Sequence, residues 1–219
     1  MGLPQEFETE SRRIEAQAAG LGGHLTPRET RFLILLAAAA EGPGEILEIG
    51  SYKGRSTFVL AQATAMAGRP GIVAVDPLTG PAATDPAGYD DSVRSEFYAN
   101  LERSGVAGQV EFHEKFSQQL AEGWERPLRM LWIDGDHSYC GALSDLELFG
   151  PHLGEGAFVA FHDTLSPCEG PIRVFMEKVL LSSDFGPAGF CGSIAWAQRS
   201  SDGRRVASTR GMVSTNRQP

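Results

Sequence analysis

The sequence predicts a doubly wound α/β fold with a seven-stranded sheet, mostly parallel and ending in an antiparallel hairpin. Five short apolar segments alternate with segments of helical periodicity through the middle of the chain. Such alternation produces a parallel sheet with helices on both faces. The segment 185–199 then contains two apolar pieces around glycines with no crossover helix between them, which indicates a hairpin.

The elements follow in order along the chain. The parallel strands are predicted at residues 45–49, 71–76, 109–113, 128–133 and 156–161, and the hairpin strands at 185–190 and 193–199. The helices are predicted near residues 54–67, 90–104, 116–122, 139–150 and 171–182. The strands are almost entirely apolar, which is typical of parallel strands covered on both faces. Ligands of such sheets bind beyond the carboxyl ends of the strands.

Two further helices are predicted before the first strand. One covers about residues 4–20. In the other, Thr26 can cap the helix, Pro27 suits the first helical position and Glu29 completes a capping box. The body of this second helix, 32–40, is apolar on most faces, so we expect it to be buried or to form a subunit contact in a homodimer.

The chain is expected to divide into a helical extension (1–42), one α/β domain (43–199) and a flexible tail (200–219). Its 42% of hydrophobic residues are enough for a sizeable core. The net charge of −9 disfavours binding to nucleic acid or to an anionic membrane. No apolar run is long enough to span a bilayer, and three scattered cysteines fit a reducing cytoplasm.

The most informative segment is EILEIGSYKGRST, from Glu45 to Thr57. It predicts a buried strand, a turn on Gly50 and Gly54, and a helix start, which together bring bare backbone and a helix N-terminus to a ligand. Asp76 ends the next strand, where an acid can bind the two hydroxyls of a ribose. The segment indicates a nucleoside pocket, with a ligand-free tight turn as the alternative.

A second group of polar residues follows two later strands. Asp134, Asp136 and His137 come after one strand, and the pair His162-Asp163 comes after the next. If these strands are adjacent, both groups lie above one edge of the sheet. Carboxylates suit hard divalent cations, whereas histidine is more often a ligand of zinc or iron. The alternative is a hydrogen-bonded network that only holds the loops.

These segments resemble a known family. The segment 48–57, EIGSYKGRST, resembles the first motif of class I S-adenosylmethionine (SAM) methyltransferases. The DGDHSY segment from Asp134 together with His162-Asp163 resembles the family that includes macrocin-type O-methyltransferases and cephalosporin-hydroxylase-like proteins. The resemblance covers roughly residues 40–199. It implies a Rossmann-like fold with SAM as the cofactor.

The resemblance also implies roles for particular residues. It places SAM at Glu48, Gly50, Gly54 and Asp76, Mg²⁺ at Asp134, His162 and Asp163, and a general base at Asp136. Ser51, Ser56, Ser117 and Asp134 complete the set of candidate SAM-binding residues. His137 is the second candidate base, because histidine has a suitable pKa. Metal-using relatives often have two acids where this chain has a histidine and an acid, so a softer metal or a metal-free enzyme stays open.

The leading functional hypothesis is a SAM-dependent O-methyltransferase that acts on a small molecule. The alternatives are a SAM-binding protein with no transferase activity or with a hydroxylase-like activity, because a fold does not fix a function. A third, an NAD-dependent oxidoreductase, is disfavoured by the missing third glycine and by the terminal hairpin. The loop 77–90 is expected to border the acceptor, whose identity the sequence does not reveal.

Overall fold

The computed structural model describes residues 6–79 and 91–200. The tail predicted at 200–219, apart from its first residue, lies outside these described residues, and so does most of the predicted acceptor loop 77–90.

The described residues form one seven-stranded sheet. Its strands are β1 (Glu45–Ile49), β2 (Ile72–Val75), β3 (Val110–His113), β4 (Leu128–Ile133), β5 (Leu153–Phe161), β6 (Phe185–Cys191) and β7 (Ile194–Arg199). Their order is β3-β2-β1-β4-β5-β7-β6. The first five strands are parallel, and β7 runs antiparallel to both of its neighbours. The predicted fold class is confirmed.

Within the described ranges, seven α-helices connect and cover the strands. They are α1 (Phe7–Ala18), α2 (Pro27–Ala39), α3 (Arg55–Met66), α4 (Asp91–Arg103), α5 (Ser117–Ala121), α6 (Tyr139–Phe149) and α7 (Gly170–Val174). Side chains from α1 to α4 pack on one face of the sheet, and side chains from α5 to α7 pack on the other. Because β1 and β4 are central and adjacent, the loops that follow them meet above the middle of the sheet.

Two elements differ from the predicted ones. Strand β5 begins at Leu153, earlier than the predicted residue 156. Its pairing with β4 is irregular near this start, where Gly156 has a φ of 75°. The glycines of this stretch interrupt the apolar pattern, so the first three residues of the strand were not predicted. The helix predicted over 171–182 consists of α7 followed by a π-helical segment, Phe175–Leu180.

The helical extension is integrated with the sheet. The predicted capping box of Thr26 and Glu29 is confirmed. Helix α2 buries Leu33 and Ile34 in the core that also contains residues of β1 and β4. The apolar faces of α2 are therefore covered within the chain, and the homodimer stays a prediction. None of the helices in the described part of the chain has the length and apolarity needed to cross a membrane.

Candidate active site at the carboxyl ends of the central strands

Four predicted site residues form a row at one edge of the sheet. Each directly follows a strand and extends the backbone hydrogen bonding of the sheet: Asp134 N donates to Ile49 O (2.8 Å), and His162 N donates to Ile133 O (3.0 Å). The row consists of Gly50, Asp76, Asp134 and His162. The sheet therefore gathers residues from distant parts of the sequence above its central strands.

The turn after β1 requires glycine at Gly50. This residue has a φ of 87°, and a Cβ atom placed on it would lie 2.2 Å from the backbone oxygen of Asp134. Gly54, with a φ of 84°, is the N-cap of α3. Tyr52 also adopts a positive φ (48°), which is uncommon for a non-glycine residue. The turn is held tightly against the loop that follows β4.

Asp76 holds this turn in place. Its Oδ2 accepts hydrogen bonds from the backbone N–H groups of Ser51 (2.7 Å) and Tyr52 (2.9 Å), and its Oδ1 accepts one from Leu78 (2.7 Å). Charge-assisted bonds of this kind are stronger than neutral ones. Both oxygens of the acid predicted to bind the ribose therefore contact backbone, and the bonds to Ser51 and Tyr52 stabilise the strained turn.

Glu48 lies beneath the turn and is fully buried. Its Oε2 accepts hydrogen bonds from Ser51 Oγ (3.0 Å) and Thr57 Oγ1 (2.5 Å). Its Oε1 has no hydrogen-bond partner among the described residues. Burial raises the pKa of Glu48 to about 7, although hydroxyl groups around it act in the opposite direction. Glu48 supports the turn from the core.

A cavity of about 100 Å³ lies above the central strands. Its walls contain seven of the predicted site residues: Gly50, Ser51, Ser56, Asp134, His137, His162 and Asp163. Asp134, His137, His162 and Asp163 are called the acid–histidine group below. The structure thus brings the glycine turn and the acid–histidine group into one cavity. The other predicted residues, Glu48, Gly54, Asp76, Ser117 and Asp136, are not among the described residues that line it.

Two of the histidines that line the cavity, His137 and His162, face the same two carboxylates. His162 Nδ1 lies 3.2 Å from Asp134 Oδ1 and 3.4 Å from Asp163 Oδ2. His137 Nε2 lies 3.6 Å and 3.5 Å from the same two oxygens. Burial alone would raise the pKa of Asp134, but the histidines outweigh it and lower that pKa to about 2. The nearby carboxylate of Asp134 raises the pKa of His137.

His162 also faces a third carboxylate, which the sequence analysis assigned only to a helix cap. Glu29 Oε2 lies 3.8 Å from His162 Nε2, and Glu29 Oε1 accepts hydrogen bonds from Ser193 N (2.6 Å) and Ser193 Oγ (2.7 Å). Burial lowers the pKa of His162, yet Asp134, Asp163 and Glu29 together raise it to about 12. Glu29 therefore connects α2, the β6–β7 turn and the site.

Asp136 and His137 are neighbours in sequence, but their side chains contact different parts of the structure. Asp136 Oδ1 accepts a hydrogen bond from Ser138 N, and its Oδ2 accepts one from Ser138 Oγ, both at 2.9 Å. Ser138 in turn caps α6. The carboxylate of Asp136 is engaged at a helix start, whereas His137 lines the cavity.

Ser117 pairs with an acid that the sequence analysis did not select. Ser117 Oγ donates to Asp145 Oδ1 at 2.6 Å, and both side chains are buried. Burial raises the pKa of Asp145 to about 6; the Ser117 hydrogen bond opposes this and the charge of Asp136 adds to it. The pair joins the start of α5 to α6, and neither residue is among those that line the cavity.

The raised pKa of Asp145 predicts a loss of stability as the pH rises. Between about pH 4 and pH 6, Asp145 loses its carboxyl proton in the unfolded chain but keeps it in the folded chain. The free energy of unfolding therefore falls by up to roughly 3 kcal/mol over this range. Asp145→Asn should remove this loss, measured as the difference in unfolding free energy between pH 4 and pH 7 in urea. Glu147→Gln, at an exposed position on the same helix, is the control. An Asp145→Asn profile parallel to that of the wild type would contradict the prediction.

The helical extension supplies one wall of the cavity. Arg55, in the first turn of α3, donates to Leu21 O through Nε (2.8 Å) and to Leu25 O through Nη1 (2.9 Å). The rings of His24 and Tyr52 lie 5.4 Å apart. Two contacts therefore join the loop between α1 and α2 to the glycine turn. Neither Arg55, which lies within the segment 48–57, nor His24 was predicted as a site residue, because both contacts depend on how the helical extension packs.

Comparison with known proteins identifies the class. Residues 47–164, more than half of the chain, match a family model described as a methyltransferase domain. The chain belongs to this methyltransferase family, which confirms the resemblance to class I SAM-dependent methyltransferases.

Solved structures share the fold across nearly the whole chain. An O-methyltransferase from Bacillus cereus in complex with SAH (S-adenosylhomocysteine) is 18% identical, with a TM-score of 0.62 over 90% of this chain and 91% of that one. TomG from Streptomyces achromogenes, an O-methyltransferase of tomaymycin synthesis in complex with SAM, is 18% identical, with a TM-score of 0.60 over 90% of both chains. The O-methyltransferase NovP is 13% identical, with a TM-score of 0.66 over 89% of this chain and 98% of that one.

Proposed function

We propose that this protein is a SAM-dependent O-methyltransferase that acts on a hydroxyl group of a small molecule. One observation carries the proposal beyond family membership: the glycine turn after β1 and the acid–histidine group after β4 and β5 line the same cavity. A cofactor held by the turn would therefore present its methyl group to ionisable side chains. The O-methyltransferases of similar fold support oxygen as the atom that accepts the methyl group.

The methionine end of SAM would occupy this cavity. At about 100 Å³ it holds one end of a ligand rather than a complete cofactor, since ligand pockets usually measure about 300–1,000 Å³. Backbone of Gly50 and Ser51 and the N-terminus of α3 line it and suit the carboxylate of the cofactor. The adenosine end would extend past Asp76 toward Ser117, with the ribose role of Asp76 kept as part of the proposal.

His137 is the general base in this proposal. Of the two sequence candidates, only His137 lines the cavity, whereas both oxygens of Asp136 accept hydrogen bonds from Ser138. An imidazole can take up a proton, and Asp134 raises the pKa of His137 above its ordinary value, which makes the neutral ring a stronger base. Asp134 and Asp163 would orient the ring and stabilise the imidazolium that forms when it takes the hydroxyl proton.

The donor set of the site also fits a divalent cation. Asp134, His162 and Asp163 each present a ligand atom, and these atoms lie within 4.8 Å of one another. Such an ion, when bound, lowers the pKa of a coordinated hydroxyl and orients it.

The remaining task of the protein is alignment. Methyl transfer is an in-line displacement at the sulfonium methyl group, and holding the oxygen and methyl in near-attack geometry contributes up to roughly 7–11 kcal/mol. The rigid turn after β1 fixes one reactant, because both Asp76 and Glu48 hold it from behind. The loops after β4 and β5 fix the base.

The proposal is tested by transfer of a labelled methyl group from SAM to a panel of hydroxylated small molecules. The expected result is an O-methylated product whose formation requires His137. Tight SAM binding without transfer to any acceptor would instead favour the SAM-binding protein that the sequence analysis considered. Absence of both SAM and SAH binding in a calorimetric titration would contradict the proposal.

Removal of the Arg55 side chain should weaken SAM binding. Without the guanidinium group of Arg55, the loop 21–25 loses its charge-assisted contacts to α3 through Leu21 O and Leu25 O. Hydrogen bonds of this kind contribute about 1.5–3 kcal/mol each. We expect Arg55→Ala to raise the dissociation constant of SAH roughly tenfold to a hundredfold by calorimetry. Arg69→Ala is the matched control, because Arg69 donates to Ala38 O (2.9 Å) at the other end of α2, away from the cavity. Equal effects of the two variants would contradict a specific role of the loop.

A further inference from the structure

We propose that Glu29 and His162 make the cation site of this enzyme selective for a nitrogen-preferring divalent metal, such as Fe²⁺, Co²⁺ or Zn²⁺, over Mg²⁺. The inference rests on the proposed function for the location of the site. It depends on three observations: the spacing of the donor atoms, the chemistry of one donor, and the buried carboxylate behind that donor.

The spacing of the donors around His162 fits a single ion. Two ligand atoms that are each about 2.1 Å from an ion and about 90–110° apart lie about 3.0–3.4 Å from each other. His162 Nδ1 lies 3.2 Å from Asp134 Oδ1 and 3.4 Å from Asp163 Oδ2. Both separations that involve His162 Nδ1 are those of ligands that share one metal, and all three atoms, supplied by the ends of β4 and β5, lie within 4.8 Å of one another.

The chemistry of the central donor disfavours Mg²⁺. Mg²⁺ binds oxygen and retains its water, whereas imidazole nitrogen suits zinc, iron and other transition metals. Here His162 is 2% exposed and lies between both carboxylates, so its ring cannot be replaced by water. An ion in this position must accept a nitrogen ligand.

Glu29 supplies the support that a metal-binding histidine usually has. Such a histidine directs its second ring nitrogen to a carboxylate or carbonyl, which fixes the tautomer and the ring orientation. Glu29 Oε2 lies 3.8 Å from His162 Nε2, which is an ion-pair distance and longer than a hydrogen bond; the carboxylate is 4% exposed and is the group that faces Nε2, which has no hydrogen-bond partner among the described residues. It is fixed by Ser193 on one oxygen and by Thr26 on the other. A proton held at Nε2 leaves the Nδ1 lone pair directed at Asp134 and Asp163.

The charges of the site are consistent with a divalent ion. Three carboxylates, Glu29, Asp134 and Asp163, surround His162, and His137 is the other titratable group that faces two of them among the described residues. A dication placed among these groups would offset negative charge of the carboxylates.

The test is a cobalt titration of the metal-stripped protein, followed by its visible absorption spectrum and by calorimetry. We expect one Co²⁺ per chain, displaced by stoichiometric Zn²⁺ but not by a hundredfold excess of Mg²⁺. His162→Asp, which replaces the nitrogen donor by oxygen, should lose the Co²⁺ preference and bind Mg²⁺ comparably. Glu29→Gln should weaken Co²⁺ binding about tenfold to a hundredfold.

Ser193→Ala is the matched control for Glu29, because it removes one hydrogen bond to the carboxylate but retains its charge. It should change the cobalt affinity less than threefold. Three results would overturn the inference: no stoichiometric Co²⁺ binding, equal competition by Mg²⁺ in the wild type, or unchanged metal preference in His162→Asp. These measurements contain no acceptor and no SAM, so their outcome is separate from a failure of methyl transfer.

Discussion

The variant His137→Gln is expected to lose about 10²–10⁴-fold in kcat/KM for methyl transfer, the usual contribution of a positioned general base. His137 is the candidate base that lines the cavity, and its Nε2 faces Asp134 and Asp163 at 3.6 Å and 3.5 Å. Glutamine retains much of the ring's size but cannot take a proton. The affinity for SAH should change little, because the glycine turn and the start of α3 are left intact.

The variant Asp136→Asn distinguishes between the two candidate general bases, Asp136 and His137. The carboxylate of Asp136 accepts two hydrogen bonds from Ser138 at the start of α6, so its loss should cost stability of about 1 kcal/mol and leave kcat within a few fold. The measurements are initial rates with saturating SAM and thermal unfolding of both variants. A larger loss of kcat in Asp136→Asn than in His137→Gln would assign the base to Asp136 instead.

The variant Gly50→Ala should abolish SAM binding and destabilise the fold by more than about 3 kcal/mol. The added Cβ would meet the backbone oxygen of Asp134 at 2.2 Å, and this contact cannot be relieved by a side-chain rotation. The residue also has a φ of 87°, which costs alanine about 1–2 kcal/mol by itself. The turn after β1 and the loop after β4 must then separate, and both line the cavity.

Gly68→Ala isolates the contribution of the backbone angle. Gly68 has a φ of 71°, but a Cβ atom there would meet nothing within 4 Å. This variant should lose only about 1–2 kcal/mol in urea unfolding and bind SAH like the wild type. Similar losses in the two variants would show that the close approach of Gly50 to Asp134 is not what holds the site together.

Much of the fold could be predicted because its elements are encoded locally. Apolar runs such as Leu128–Ile133 identify buried parallel strands, and the capping box of Thr26 and Glu29 marks a helix start. The start of β5 was missed because a bulge with Gly156 at positive φ breaks the local pattern. The local sequence therefore predicts the order and type of the helices and strands. Some of their boundaries depend on irregular strand pairing, which the local sequence does not reveal.

The site was predictable only where residues directly follow strands. Asp134 and His162 could be brought together from the sheet topology alone, because parallel strands end at one edge. The contact of Glu29 with His162 joins residues separated by most of the chain and depends on how α2 packs. The hydrogen bonds of Glu48 and Asp76 to the turn were equally inaccessible, because the local sequence does not encode the direction of a side chain; the predicted contacts of both acids with the ligand stay a prediction.

The central claim is that the glycine turn and the acid–histidine group form one methyl-transfer site. The most direct measurement is a crystal structure of the protein with SAH. The account predicts the amino-acid end of SAH against Gly50, Ser51 and Ser56, with its sulfur facing His137 across the cavity. Binding of SAH in another place, or with its sulfur directed away from His137 and Asp134, would contradict it.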